Sequence, residues 1–197
     1  MRNRAVLELA PTHEAAPVDL FQVDDATLAR ALIARDPAAP RAVWSRFSVL
    51  VRRIVRRSLG SEQDVEDVVQ DVFATLFIKP ALLREPGSLR AFLVSVTLHN
   101  ISYELRRRKV RRLVGIAPTA ELPDIRVVEN NPESREALAR FYRILDGVRT
   151  RDRLAFVLRY IEGMEVADVA AALEISEPTA RRRFTRAYKR VAMLAER

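Results

Sequence analysis

Two kinds of charged cluster stand out in this sequence, and they carry opposite signs. The stretch 61–77, SEQDVEDVVQDVFATLF, holds five carboxylates (Glu62, Asp64, Glu66, Asp67 and Asp71) and no Lys or Arg. The stretch 104–112, ELRRRKVRR, packs six positive charges into residues 106–112, and TARRRFTRAYKR at 179–190 carries six more. The chemistry open to such clusters is recognition. Guanidinium groups pair bidentately with phosphate or guanine oxygens, so two separated basic runs point to a polyanion, with nucleic acid first. The acidic stretch is out of character with a chain of net charge +8, and what it serves is a separate question. Plainer explanations stand beside both. Basic runs can be solvated helix faces, and carboxylates near a helix N-terminus favour its dipole. The dipole accounts for Glu62 and Asp64 but poorly for Asp71, two turns in.

Little in the sequence supports catalysis. There are no cysteines, which excludes disulfides, thiolate metal sites and thiol redox sensing. No glycine-rich phosphate loop, G-x-S-x-G or metal-ligand spacing occurs, and His13 and His99 are far apart. The carboxylates of 62–71 lack a calcium-type loop. The expectation is a non-enzyme without metal or cofactor. Apolar runs such as FLVSV at 92–96 fall far short of the ~20 residues that cross a bilayer. AVLELAP near the start is interrupted by Glu8 and makes no signal-peptide core. These features predict a soluble cytoplasmic protein with no membrane partner.

The elements that position the clusters read as helices throughout. Residues 1–23 have the mixed polarity and prolines of a tail. A helix follows with Asp24 or Asp25 as N-cap, ending before Pro37, and a second runs from about Pro40 to Leu59 with Gly60 as its stop. In the acidic segment, Ser61 and Asp64 have the form of a capping box. Val65, Val68, Val69, Val72, Phe73, Leu76 and Phe77 then recur at helical spacing, which turns Asp67, Gln70 and Asp71 outward. KPALLREPGS at 79–88 reads as a loop. A long helix from Ser88 or Leu89 carries the first basic run. Residues 114–134, with three prolines, read as a flexible linker in which a short strand at Ile125–Val128 is not required. Four shorter helices follow, at about 135–146, 151–161, 165–173 and 177–195. The fold class is all-α, two small helical domains at 24–113 and 135–197.

The last of these helices offers the sharpest local signal. In VADVAAALEISEPTARRRFTRAYKRV, a short helix, a tight turn at Glu174-Ile175 and a second helix opened by Ser176 and Pro178 form a helix-turn-helix pattern. Val169, Leu173, Ile175 and Ala180 are spaced to pack the two helices. The second helix is expected to present Glu177, Thr179, Arg181, Arg182, Arg183 and Arg186 outward, its first turns to base edges and its later arginines to phosphate. Glu174 sits where a left-handed backbone would favour glycine.

Taken together, DVEDVVQDVFATLF, GSLRAFLVSVTLHNISYELRRRKVRR and RDRLAFVLRYIEGMEVADVAAALEISEPTARRRFTRAYKRV resemble regions two and four of extracytoplasmic-function (ECF) RNA polymerase sigma factors. The resemblance covers about residues 25–113 and 135–195. It implies that core RNA polymerase, through its β′ coiled coil and β flap, and promoter DNA are the partners, with an anti-sigma factor as a further one. It assigns polymerase docking to Asp67, Gln70 and Asp71, with Asp64 and Glu66 as supporting charge. It assigns the promoter −10 element to the loop 79–88 and to His99, Asn100 and Tyr103. His99 stands where the family usually has asparagine. Arg106, Arg107, Arg108, Lys109, Arg111 and Arg112 would hold backbone phosphates. The −35 element would fall to Glu177, Thr179, Arg181, Arg182, Arg183 and Arg186. The linker's Glu121, Asp124 and Glu129 would suit passage through channels that hold nucleic acid.

Two other readings compete. A stand-alone operator-binding regulator would explain the helix-turn-helix but has no need of both DVEDVVQDVF and the basic helix at 104–112. An RNA-binding adaptor lacks, on sequence, an evident exposed aromatic platform.

Overall fold

The computed structural model describes residues 19–60, 64–83, 85–114 and 132–195. Every regular element among them is helical. In the N-terminal half, α1 (Asp25–Ile33) is capped by Asp24, whose Oδ1 accepts the Thr27 N–H at 2.6 Å. That hydrogen bond holds the Asp24 carboxyl below its ordinary pKa. Next, α2 (Ala39–Leu59) places proline in its first turn and ends on Gly60 at φ 68°. Glycine is needed there for a second reason: a Cβ would run into the Tyr142 ring from the C-terminal half.

The acidic helix is α3 (Val65–Ile78), with Val65, Val68, Val69, Val72, Phe73 and Leu76 buried as the spacing required. It starts later than the capping-box pattern suggests. Asp64 is the N-cap residue but makes no capping bond, because its carboxylate is engaged by Arg108; Ser61 lies outside the described residues. The segment 79–88 forms two 3₁₀ turns, Pro80–Leu82 and Pro86–Ser88, leading into α4 (Leu89–Leu113). Ahead of α1, Leu20 is buried and Arg46 donates to the Leu20 and Phe21 carbonyls, so part of the expected tail packs on the bundle.

The C-terminal half contains α5 (Pro132–Asp146), α6 (Thr150–Phe156), α7 (Val166–Ala172) and α8 (Glu177–Ala195). The α6 helix continues as a π-helical turn, Val157–Ile161. Glu174 does adopt a left-handed backbone, φ 53°, between α7 and α8. Such a conformation costs a non-glycine residue roughly 1 kcal/mol or more, and here Glu174 gains a hydrogen bond from Ser95 Oγ of α4 at 3.1 Å. Residues 115–131, including the short strand considered at Ile125–Val128, lie outside the described residues.

The two helical halves pack on each other. Leu154, Ala155, Leu158, Val169 and Phe184 belong to the same buried cluster as the cores of α1–α4. Polar contacts reinforce this seam. Arg153, 2% exposed, donates from Nε to the Ser58 carbonyl at 2.8 Å and from Nη1 to Asp146 at 2.6 Å. Burial lowers the pKa of its guanidinium, and Asp146 opposes that shift. Arg53 and Arg57 of α2 both bind Glu162, and Arg112 of α4 binds Asp146.

Candidate nucleic-acid interface and acidic docking face

On α3, the buried valine stripe leaves Glu66, Asp67, Gln70 and Asp71 exposed on the opposite side. The five expected docking residues then divide into two groups. Asp67, Gln70 and Asp71 lie at i, i+3 and i+4, form one strip, and have no ion-pair partner among the described residues. Asp64 and Glu66 are occupied internally. Asp64 takes Arg108 Nη2 at 2.6 Å with both side chains mostly buried, and Glu66 clamps Arg52 with both oxygens at 2.8 and 2.9 Å. The Arg52 hydrogen bond is the largest effect and holds the Glu66 carboxyl below its ordinary pKa; burial opposes it, and the charges of Arg52 and Arg56 add to the lowering. The strip also has an apolar end that charge counting missed: Ile78 and Leu82 are exposed, and half-exposed Trp44 rests on Phe73 with ring centroids 4.6 Å apart.

The basic run on α4 divides in the same way. Glu104 is only 4% exposed and collects Arg107, Arg108 and Arg111 at 3.2, 3.2 and 2.7 Å. A buried carboxylate needs such partners. Arg108 also binds Asp64 and the Leu59 carbonyl, and Arg112 binds Asp146. Four of the six cations expected at phosphate are therefore also engaged within the protein. Arg108 is an internal strut, Arg111 and Arg112 hold the fold, and the Arg107 guanidinium, paired at its root, remains half-exposed. Arg106 and Lys109 are exposed and without ion pairs among the described residues. His99, Tyr103 and Arg106 follow one another at i, i+4 and i+7 on the exposed face, while Asn100 donates to the Val96 carbonyl of its own helix.

Helix α8 presents Glu177, Arg181, Arg182 and Arg186 to solvent, with Thr179 half-buried. Ser176 Oγ meets Thr179 Oγ1 at 3.0 Å, and Arg182 Nη2 donates to the same Thr179 hydroxyl at 3.1 Å. Arg181 is tethered to Glu177 at 3.3 Å. Arg183 does not face outward as expected. It is 9% exposed, on the same side as buried Ala180, Phe184 and Ala187. Arg186 keeps an exposed head but binds buried Asp152 at 3.0 Å. Aromatic surface is also more abundant than the sequence suggests: Tyr103, Tyr160 and Tyr188 are all exposed, the last two with centroids 6.4 Å apart.

Comparison with known proteins agrees with this layout. The sequence model for sigma-70 region 2 matches residues 43–111, and that for sigma-70 region 4 matches residues 138–191. The chain is 26% identical over 170 residues to the ECF RNA polymerase sigma factor SigM of Mycobacterium tuberculosis, covering 86% of this chain and 84% of that protein. It is 27% identical to the ECF sigma factor SigF of Caulobacter vibrioides, covering 86% and 94%. Among solved structures it resembles CnrH in complex with the cytosolic domain of CnrY, with TM-score 0.63 and 25% identity over 87% of this chain and 97% of that one. The fold also matches the sigma factor RpoE of Bartonella quintana, crystallised with the anti-sigma factor NepR, with TM-score 0.58 and 21% identity over 78% and 94%. The region 2 match spans the acidic strip and the basic helix, and the region 4 match spans the helix-turn-helix: the chain belongs to the ECF family of RNA polymerase sigma factors.

Proposed function

We propose that Asp67, Gln70 and Asp71 are the surface by which this sigma factor docks on polymerase, and that α4 and α8 divide the promoter between them. As a member of the family, the protein binds core RNA polymerase and directs promoter-specific initiation through the −10 and −35 elements. Sigma factors are initiation factors rather than enzymes. The observation that carries the docking assignment is the unpaired acidic strip on a chain of net charge +8. It would steer a basic surface on polymerase and favour one register, while the apolar end at Ile78 and Leu82 adds desolvated contact.

In this reading, residues 24–113 form the polymerase and −10 unit and 135–197 the −35 unit. Tyr103, flanked by His99 and Arg106 on the exposed face of α4, supplies a stacking surface for an unpaired promoter base. Arg106, Lys109 and the exposed part of Arg107 hold backbone phosphate. Thr179, Arg181 and Arg182 read the −35 major groove, with Glu177 orienting Arg181. Arg183, Arg186, Arg108, Arg111 and Arg112 are assigned to the fold instead.

An anti-sigma factor is the natural regulatory partner, since RpoE is seen with the anti-sigma factor NepR and CnrH with the cytosolic domain of CnrY. No helix of the described residues is long and apolar enough to cross a membrane, in keeping with action in the cytoplasm. The test is promoter-dependent transcription with purified protein and core polymerase. Transcripts from a promoter template only when both are present support the assignment. A protein that shifts duplex DNA alone and leaves polymerase inert would be a stand-alone regulator.

A further inference from the structure

Between the two halves lies a cleft of about 350 Å³ lined by Ser102 and Arg106 of α4, by Arg149 and Thr150 to Asp152 around the start of α6, and by Arg183 and Arg186 of α8. Five guanidinium groups thus surround one carboxylate, and Asp152 is already bound to Arg186. Arg106, Arg149 and Arg151 have no ion pair among the described residues. Arg183 is the sharper observation. It is nine-tenths buried, and its Nε has no hydrogen-bond partner. Burial lowers the pKa of its guanidinium, the neighbouring charges of Arg151 and Arg186 lower it further, and Asp152 only partly compensates. Buried donors in native proteins are almost always satisfied, so an orphaned one within a cationic cleft indicates a missing acceptor.

We propose that this cleft is a binding site for a small polyphosphate anion, one with at least two phosphoryl groups, held by Arg106 from one half and by Arg149, Arg151 and Arg183 from the other. Phosphoryl oxygens match the guanidinium fork, and two or more of them balance the excess charge that one carboxylate leaves. The volume suits a compact ligand and excludes a duplex. Because Arg106 and the remaining arginines belong to different halves, bound anion favours the packed arrangement by mass action. Arg106 is shared with the phosphate contacts assigned to α4, whereas Arg149, Arg151 and Arg183 have no part in the promoter assignments.

Inorganic pyrophosphate is the probe, titrated calorimetrically into the full chain at low ionic strength, with thermal unfolding in parallel. One site per chain and a raised unfolding temperature are expected. Arg106→Gln and Arg149→Gln, both at exposed positions and so compatible with folding, should each weaken binding about tenfold. Arg41→Gln, on the exposed face of α2, should not weaken it. Absence of saturable binding, or an equal loss in Arg41→Gln, would overturn the proposal. So would a short single-stranded oligonucleotide binding with the Arg106 and Arg149 dependence while pyrophosphate does not, since the cleft would then be a strand channel.

Discussion

Glu162, whose side chain is 2% exposed, accepts Arg53 Nε at 2.8 Å and so joins the turn after α6 to the middle of α2. Arg57 completes the contact from the next turn of α2, donating to the second Glu162 oxygen and to the Ile161 carbonyl, both at 2.9 Å. The pairing spans more than a hundred residues of sequence and fastens the two helical halves together. Removing the carboxylate strands two cations, although both arginines are partly exposed and regain water. Glu162→Ala is therefore expected to lower stability by about 2 kcal/mol and to separate urea unfolding into two transitions. A single unchanged transition would mean that the apolar seam alone holds the halves.

Glu104 is the hub of the basic helix. Glu104→Gln keeps the shape but leaves Arg107, Arg108 and Arg111 without their shared counter-charge. A loss of about 3 kcal/mol is expected, read from the denaturation midpoint. The contrasting substitution Lys109→Gln, at an exposed position, should leave stability unchanged and weaken DNA binding uniformly across sequences.

A pH dependence follows from Glu66. Its pKa is depressed in the folded state by Arg52, so the unfolded chain takes up a proton first as pH falls. The stabilisation is fully present above the ordinary value of 4.5 and is lost as pH drops through the lower folded value. Acid titrations of wild type and Glu66→Gln should differ near neutrality and converge at strongly acidic pH. Parallel curves would show that the Arg52 clamp contributes nothing.

Neighbouring arginines on α8 should behave differently. Arg182→Ala is expected to leave stability intact and weaken binding to a −35 sequence by about tenfold, with less effect on unrelated DNA. Arg183→Ala should lower stability, because its stem packs beside Phe184 and Ala187 in a buried stripe. An equal loss on all DNA for Arg182→Ala would reduce that residue to a phosphate contact.

Much of this was legible in the sequence, and the misses have definite causes. Helical periodicity located α3 and α8, and the glycine stop at 60 and the left-handed strain at 174 followed from local rules. The inward turn of Arg183 was also within reach. Three consecutive arginines sweep about 200° of a helix, and position 183 falls on the stripe set by Ala180, Phe184 and Ala187. Glu104 likewise extends the buried row Thr97 and Ile101. By contrast, Asp64 pairing with Arg108 and Glu162 with Arg53 depend on how helices far apart in sequence come together, and no local pattern encodes that. Such pairings set Asp64 and Glu66 apart from the free strip and engage most of the basic run within the protein.

The most direct measurement is the affinity of core RNA polymerase for fluorescently labelled protein, wild type against the double substitution Asp67→Lys and Asp71→Lys. Like charges placed against a basic surface cost several kcal/mol, so a loss of about a hundredfold or more is expected, with helicity unchanged by circular dichroism. Equal affinity for the two proteins would contradict the docking role of α3.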